Sequence, residues 1–184
     1  MFIAQQLKKE NIGEYLLYMW QIEDMIRAFD LDMSKIEEHI IKPYNLPDDQ
    51  RKALYEWYES LIDMMRSENV QTQGHLQLNK NVVIELSELH NELLRTGKDS
   101  AYSAKFYYIL PSILQLRKQQ IDMDISDIEI CFSFMYGIIL LKLQKREITP
   151  ETTQVQIEFS KFLILLSKNY QLYKSGELEF DNES

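Results

Sequence analysis

Hydrophobic residues recur at helical spacing along most of the chain, and the densest stretch is "EYLLYMWQIED", residues 14–24. Stepped at about 100° per residue, Tyr15, Tyr18, Met19, Ile22, Met25, Ile26 and Phe29 fall within an arc of about 120°, the width of an ordinary core-facing stripe. Leu16, Leu17 and Trp20 fall on the other side, with Asp24 and Arg27. The run is therefore two apolar faces interleaved on one helix, predicted over residues 3–29. A helix that is apolar on both sides is either central in a bundle or covered by a second chain. Glu23 and Arg27, four apart, are placed to pair along its surface.

Six more helices follow from the same spacing and from their end signals. A short one starts at the capping stretch Asp32-Met33-Ser34 and stops before Pro43. The third opens at Pro47, with Asp48 and Asp49 at the positive end of the helix dipole, and ends before Gly74. The fourth covers about 79–95 and ends at Gly97; the fifth covers about 99–120 and contains Pro111. The sixth opens on Ser126-Asp127-Ile128-Glu129, a capping box, and runs to about Arg146. The seventh opens on Thr149-Pro150-Glu151 and continues to about Lys174. Their apolar stripes fit one core: Leu54, Trp57, Leu61, Met64 and Met65 with Tyr58 on the flank; Val82, Leu86, Leu89 and Leu93; Tyr102, Phe106, Ile109, Ile113 and Leu116; Val155, Phe159, Phe162, Leu166 and Tyr173. Ile128 to Leu143 is apolar nearly all round, apart from a narrow side of Ser133, Gly137 and Gln144, where a neighbouring backbone is expected to pack closely or leave a slot. The expected fold is all-α: a single helical bundle of six to seven helices over residues 1–176, with the first and sixth central, and an acidic, frayed tail over 177–184.

Composition supports this picture and removes several classes of function. Among 184 residues there are only 5 Gly and 4 Pro, too few to turn a chain of short strands. A net charge of −9 argues against nucleic acid and against an anionic membrane surface. Residues 34–58 can be drawn as a helix-turn-helix, but the second helix would present Asp48 and Asp49 to phosphates. The longest uncharged apolar run, Ile130 to Leu141, falls well short of the ~20 residues of a membrane span. The N-terminus has no apolar signal region, and the single cysteine, Cys131, fits a reducing compartment. The expected setting is cytoplasmic.

Two stretches carry a resemblance. "FIAQQLKKENIGEYLLYMWQIEDMIRA", from Phe2, and "GHLQLNKNVV", from Gly74, resemble an uncharacterised all-helical family of Bacteroidetes proteins, a domain of unknown function. The resemblance covers most of the chain. It implies a helical fold and a cytoplasmic setting, and it brings no catalytic residues with it.

Candidate chemistry is sparse. The three histidines, His39, His75 and His90, stand in no metal-ligand spacing with one another or with acids, so no metal, cofactor or catalytic set is expected. His90 reads as a boundary residue on its helix. His75, after Gly74, reads as a cap for the preceding helix or a pocket group. Cys131 lies in an apolar helix, where a thiol behaves as a small hydrophobe. Pro111 removes a hydrogen bond from the carbonyl of Tyr107, and a kink there would open a cavity beside Tyr107 and Tyr108.

The expected function is a non-enzymatic helical assembly or interaction protein, a homo-oligomer using Leu16, Leu17 and Trp20 as its interface. The alternative is a small-molecule binder or enzyme with an aromatic pocket near the Pro111 kink, drawing on Tyr107, Tyr108, Ser133, Gly137, His75 and His90.

Overall fold

The computed structural model describes residues 1–119 and 124–180, and among these every regular element is helical. Eight α-helices are formed: α1 (Phe2–Glu10), α2 (Ile12–Ala28), α3 (Met33–Ile36), α4 (Asp48–Ser67), α5 (Gln77–Thr96), α6 (Ser100–Arg117), α7 (Asp127–Leu143) and α8 (Pro150–Ser175). No helix among the described residues is long and apolar enough to cross a membrane.

The count exceeds expectation because the first predicted helix is two. Asn11 adopts an extended backbone (φ −154°, ψ 97°), and its side chain accepts hydrogen bonds from the N–H groups of Gly13 and Glu14. That is an N-cap, and it restarts the helix in a new direction. Gly13 is needed just there. A Cβ at this position would lie 3.0 Å from Ser167 Oγ of α8, and the Gly13 N–H donates to that oxygen at 3.3 Å. The close backbone approach expected at Gly137 is not found: a Cβ there would meet nothing within 4 Å.

The chain between α3 and α4 also departs from a simple stop before proline. A wide π-turn over Glu37–Ile41 leads into a 3-10 turn over Lys42–Tyr44. Pro43 has no N–H to give to an α-helical ladder, so the helix ends by loosening and then tightening. Asn45, left-handed at φ 47°, then turns the chain toward α4.

Helix α2 packs against α1, α5, α7 and α8, and α7 packs against α2, α5, α6 and α8; α5 and α8 each touch four helices as well, so the centre of the bundle is shared by α2, α5, α7 and α8. Most of each sequence stripe lies inside: Leu54, Leu61 and Met65 of α4; Val82, Leu86, Leu89 and Leu93 of α5; Tyr102, Phe106, Ile109 and Ile113 of α6; Phe159, Phe162 and Leu166 of α8; Trp57, Met64, Leu116 and Val155 are half-buried and Tyr173 is exposed. The predicted caps form at Ser126 and Thr149, each accepting from the backbone N–H three residues on. Helix α8 ends at Gly176, left-handed at φ 78°. Beyond it, Leu178 and Phe180 pack back on the core and Phe180 lies against Tyr173, so residues 177–180 are docked rather than frayed. The rest of the expected tail, 181–184, lies outside the described residues.

His90 is core rather than boundary. Its Nδ1 pairs with the Tyr102 hydroxyl at 2.7 Å, and its ring sits among Tyr102, Phe106 and Phe162. Burial pulls its pKa down to about 4. An unfolded histidine titrates near 6.5, so as pH falls from about 6.5 toward 4 the unfolded chain takes a proton that the folded chain refuses. Folding stability should therefore drop over that window, with His90 contributing about 3 kcal/mol of the loss. Urea melts at pH 7 and pH 4.5 on the native chain and on His90→Gln test this: the variant should show a clearly smaller acid-induced loss, and equal losses would contradict it.

Candidate functional site

The face that motivated a self-association surface is enclosed within one chain. Leu16 is fully buried and Trp20 is 2% exposed; only Leu17 remains half-exposed. Leu17 lines a shallow groove with Met135, Leu163 and Ile164. The second apolar side of α2 is core because α5, α7 and α8 cover it.

Behind Trp20 lies the most polar part of the interior. Glu23 is 1% exposed and does not pair with Arg27. Its carboxylate turns inward and takes three partners from the start of α5: His75 Nδ1 at 2.6 Å, the Leu76 N–H at 2.9 Å and Asn79 Nδ2 at 2.7 Å. The His75 ring stacks on Trp20, with centroids 4.1 Å apart and planes 14° from parallel. Arg27 instead pairs with Asp24 at 2.7 Å and donates to the carbonyls of Val70 and Gly74. Asp24 also accepts the Tyr136 hydroxyl at 2.5 Å. Burial, and then the Asp24 carboxylate, push that phenol well above its ordinary range.

The two stretches that carry the family resemblance thus meet here. Gly74, left-handed at φ 83°, turns the chain so that His75 faces α2, and Arg27 holds the turn by its carbonyls. His75 does not cap α4; it is fixed by Glu23. The pair leaves an imidazole 30% exposed with Nδ1 committed and Nε2 without a protein partner among the described residues. Such an oriented ring is chemically capable of base or ligand work, yet no described residues supply companions: no group of three or more His, Cys, Asp or Glu could hold a metal ion. What the cluster does in this fold is fasten the α4–α5 connection to α2.

Among the described residues, Tyr107 and Tyr108 do not enclose a pocket at Pro111. Helix α6 runs unbroken through Pro111, and Tyr107 and Tyr108 point outward, both mainly exposed. Tyr108 lies under the Lys105 ammonium at the edge of an open groove between α6 and α8. Ser133 and Gly137 are half-buried on α7 and far from forming a set with His75 and His90, which serve separate clusters. Cys131 is fully buried, and burial pushes its thiol well above the usual range.

A different aromatic pocket lies at the junction of α1, α2 and α4. It has a volume of about 210 Å³ and is lined by Phe2 and Ile3 of α1, Tyr18 of α2, Tyr44 and Leu46 after the 3-10 turn, and Leu54 and Tyr58 of α4. The break at Asn11 creates it, because a straight helix over 3–29 could not fold α1 back beside α2. Tyr58 is only 4% exposed, yet its hydroxyl has no hydrogen-bond partner among the described residues. Nor is that oxygen sealed from solvent: among the described residues only Trp20 Nε1 and Asn79 Oδ1 are both buried and unpartnered. Burial, followed by the neighbouring phenols of Tyr18 and Tyr44, raises the pKa of Tyr58; burial and Tyr44 do the same for Tyr18. Both phenols therefore stay protonated and available as hydrogen-bond groups inside an apolar wall.

No curated protein and no solved structure matches the chain. A family model does match, over residues 1–177, and the chain belongs to that family, the domain of unknown function DUF4924.

Proposed function

We propose that this chain is a small-molecule-binding helical protein and that the tyrosine-lined pocket between α1, α2 and α4 is its binding site. The observation that carries the reading is Tyr58: an almost wholly buried residue that lines an apolar pocket and whose hydroxyl has no protein partner among the described residues. Ligand sites are typically concave, mostly apolar and furnished with a few convergent polar groups. Phe2, Ile3 and Tyr44 leave substantial apolar surface exposed at the rim, which an occupant would cover. We place the protein in the cytoplasm, a setting that suits a single buried cysteine.

The reading is tested with a plain apolar probe. A ligand that binds only the native state raises the melting temperature by mass action, so toluene at millimolar concentration should raise it. Ile3 is half-exposed, so Ile3→Asp should fold normally while placing a charge at the pocket rim. The toluene shift should disappear in that variant. No shift in the native chain, or an undiminished shift in Ile3→Asp, would contradict the assignment.

A further inference from the structure

From the dimensions and chemistry of the pocket we infer that its occupant is a neutral single-ring aromatic bearing one hydroxyl or carbonyl group, a phenol-type small molecule. The inference rests on the pocket being a binding site and goes on to name the class of ligand.

Volume sets the size. An apolar cavity of roughly 150 Å³ accommodates benzene, whereas sites for drug-sized ligands span roughly 300–1,000 Å³. At about 210 Å³, this pocket has room for one ring and a small substituent but not for a nucleotide or flavin. Charge sets the ionisation state. The lining side chains are Met, Phe, Ile, Leu and Tyr, none of them charged, and burial brings the Met1 α-amino group at the wall down to about 6, which leaves it mostly neutral at pH 7. An anion or cation entering it would lose hydration with little ionic compensation.

The hydroxyl of Tyr58 sets the polarity. An entirely apolar ring would leave that O–H cut off from water and unpaired, which is costly. A ring carrying one hydroxyl or carbonyl satisfies it, and Tyr18 and Tyr44 line the same pocket. The remaining apolar wall, Phe2, Ile3, Leu46 and Leu54, suits the ring itself.

Calorimetric titration of the full chain with p-cresol, toluene and N-acetyltyrosinamide separates the outcomes. In the native protein p-cresol should bind about five- to tenfold more tightly than toluene, the value of one buried neutral hydrogen bond. Tyr58→Phe removes only the unpartnered hydroxyl, so it should fold as the native chain does, keep toluene binding and lose the preference. Equal affinities in the native chain would overturn the ligand class while leaving the pocket a binding site; so would a preference that persists in Tyr58→Phe. Binding of neither aromatic would overturn the pocket itself. Tighter binding of N-acetyltyrosinamide than of p-cresol would assign the pocket to a tyrosine side chain of a protein and overturn the free small molecule.

Discussion

Trp20→Ala is expected to destabilise the monomer by about 3–5 kcal/mol, the usual loss on emptying a buried aromatic site, without changing the molar mass in solution. The ring is enclosed on every side. His75 stacks on one face at 4.1 Å, and Tyr136 and Phe132 meet it edge-on at 5.5 and 6.4 Å. Its indole N–H makes no hydrogen bond, so the loss is one of packing and contact area rather than of a polar bond. The cavity would be hard to refill, because helices α5 and α7 are fixed on α2 by the Glu23 and Asp24 contacts. Urea unfolding gives the stability and light scattering gives the mass. A variant with native stability and a lower mass would instead make Trp20 an interface residue.

Glu23→Ala is expected to cost a similar amount, about 3–5 kcal/mol, which is typical when one member of a buried charge-bearing network is removed. Three donors lose their acceptor at once: the His75 ring, the Leu76 N–H and the Asn79 amide. Asn79 is fully buried and its Nδ2 has no other partner among the described residues, so it is stranded. Glu23→Gln keeps an oxygen for Leu76 and Asn79 and an amide group within reach of the His75 ring, so its loss should be much smaller. The local consequence is as diagnostic as the global one. The connection between α4 and α5 should open, and the Leu76 amide should exchange with solvent far faster in Glu23→Ala than in the native chain. An unchanged Leu76 exchange rate would show that Glu23 is not what holds the connection.

The relation of this fold to its sequence differs from place to place. Periodicity gave the core stripes of α4, α5, α6 and α8 directly, since Leu54, Leu86, Phe106 and Phe162 bury the side that their spacing defines. It carried α1 into α2 without interruption because the apolar pattern continues across the break, although Asn11, two residues before Gly13, holds the signal of a new helix start. The second face of α2 was ambiguous in principle: an all-round apolar helix has the same pattern whether a neighbour in its own chain or another chain covers it. One residue could have decided it. Glu23 stands three after Trp20 and seven after Leu16, an acid on an apolar face, and such an acid implies a buried partner. Its partner His75 is 52 residues away, beyond any local spacing rule. The pocket was hidden for the same reason, since Tyr18, Tyr44 and Tyr58 come from three separate elements and each alone is an ordinary aromatic on a helix or turn.

The measurement that bears most directly on the central claim is an NMR map of the full chain as p-cresol is added. Shift changes should gather at Phe2, Ile3, Tyr44, Leu46, Leu54 and Tyr58, where α1, the 3-10 turn and α4 meet. Changes centred instead on Trp20 and His75, or on Tyr108 in the groove between α6 and α8, would contradict it.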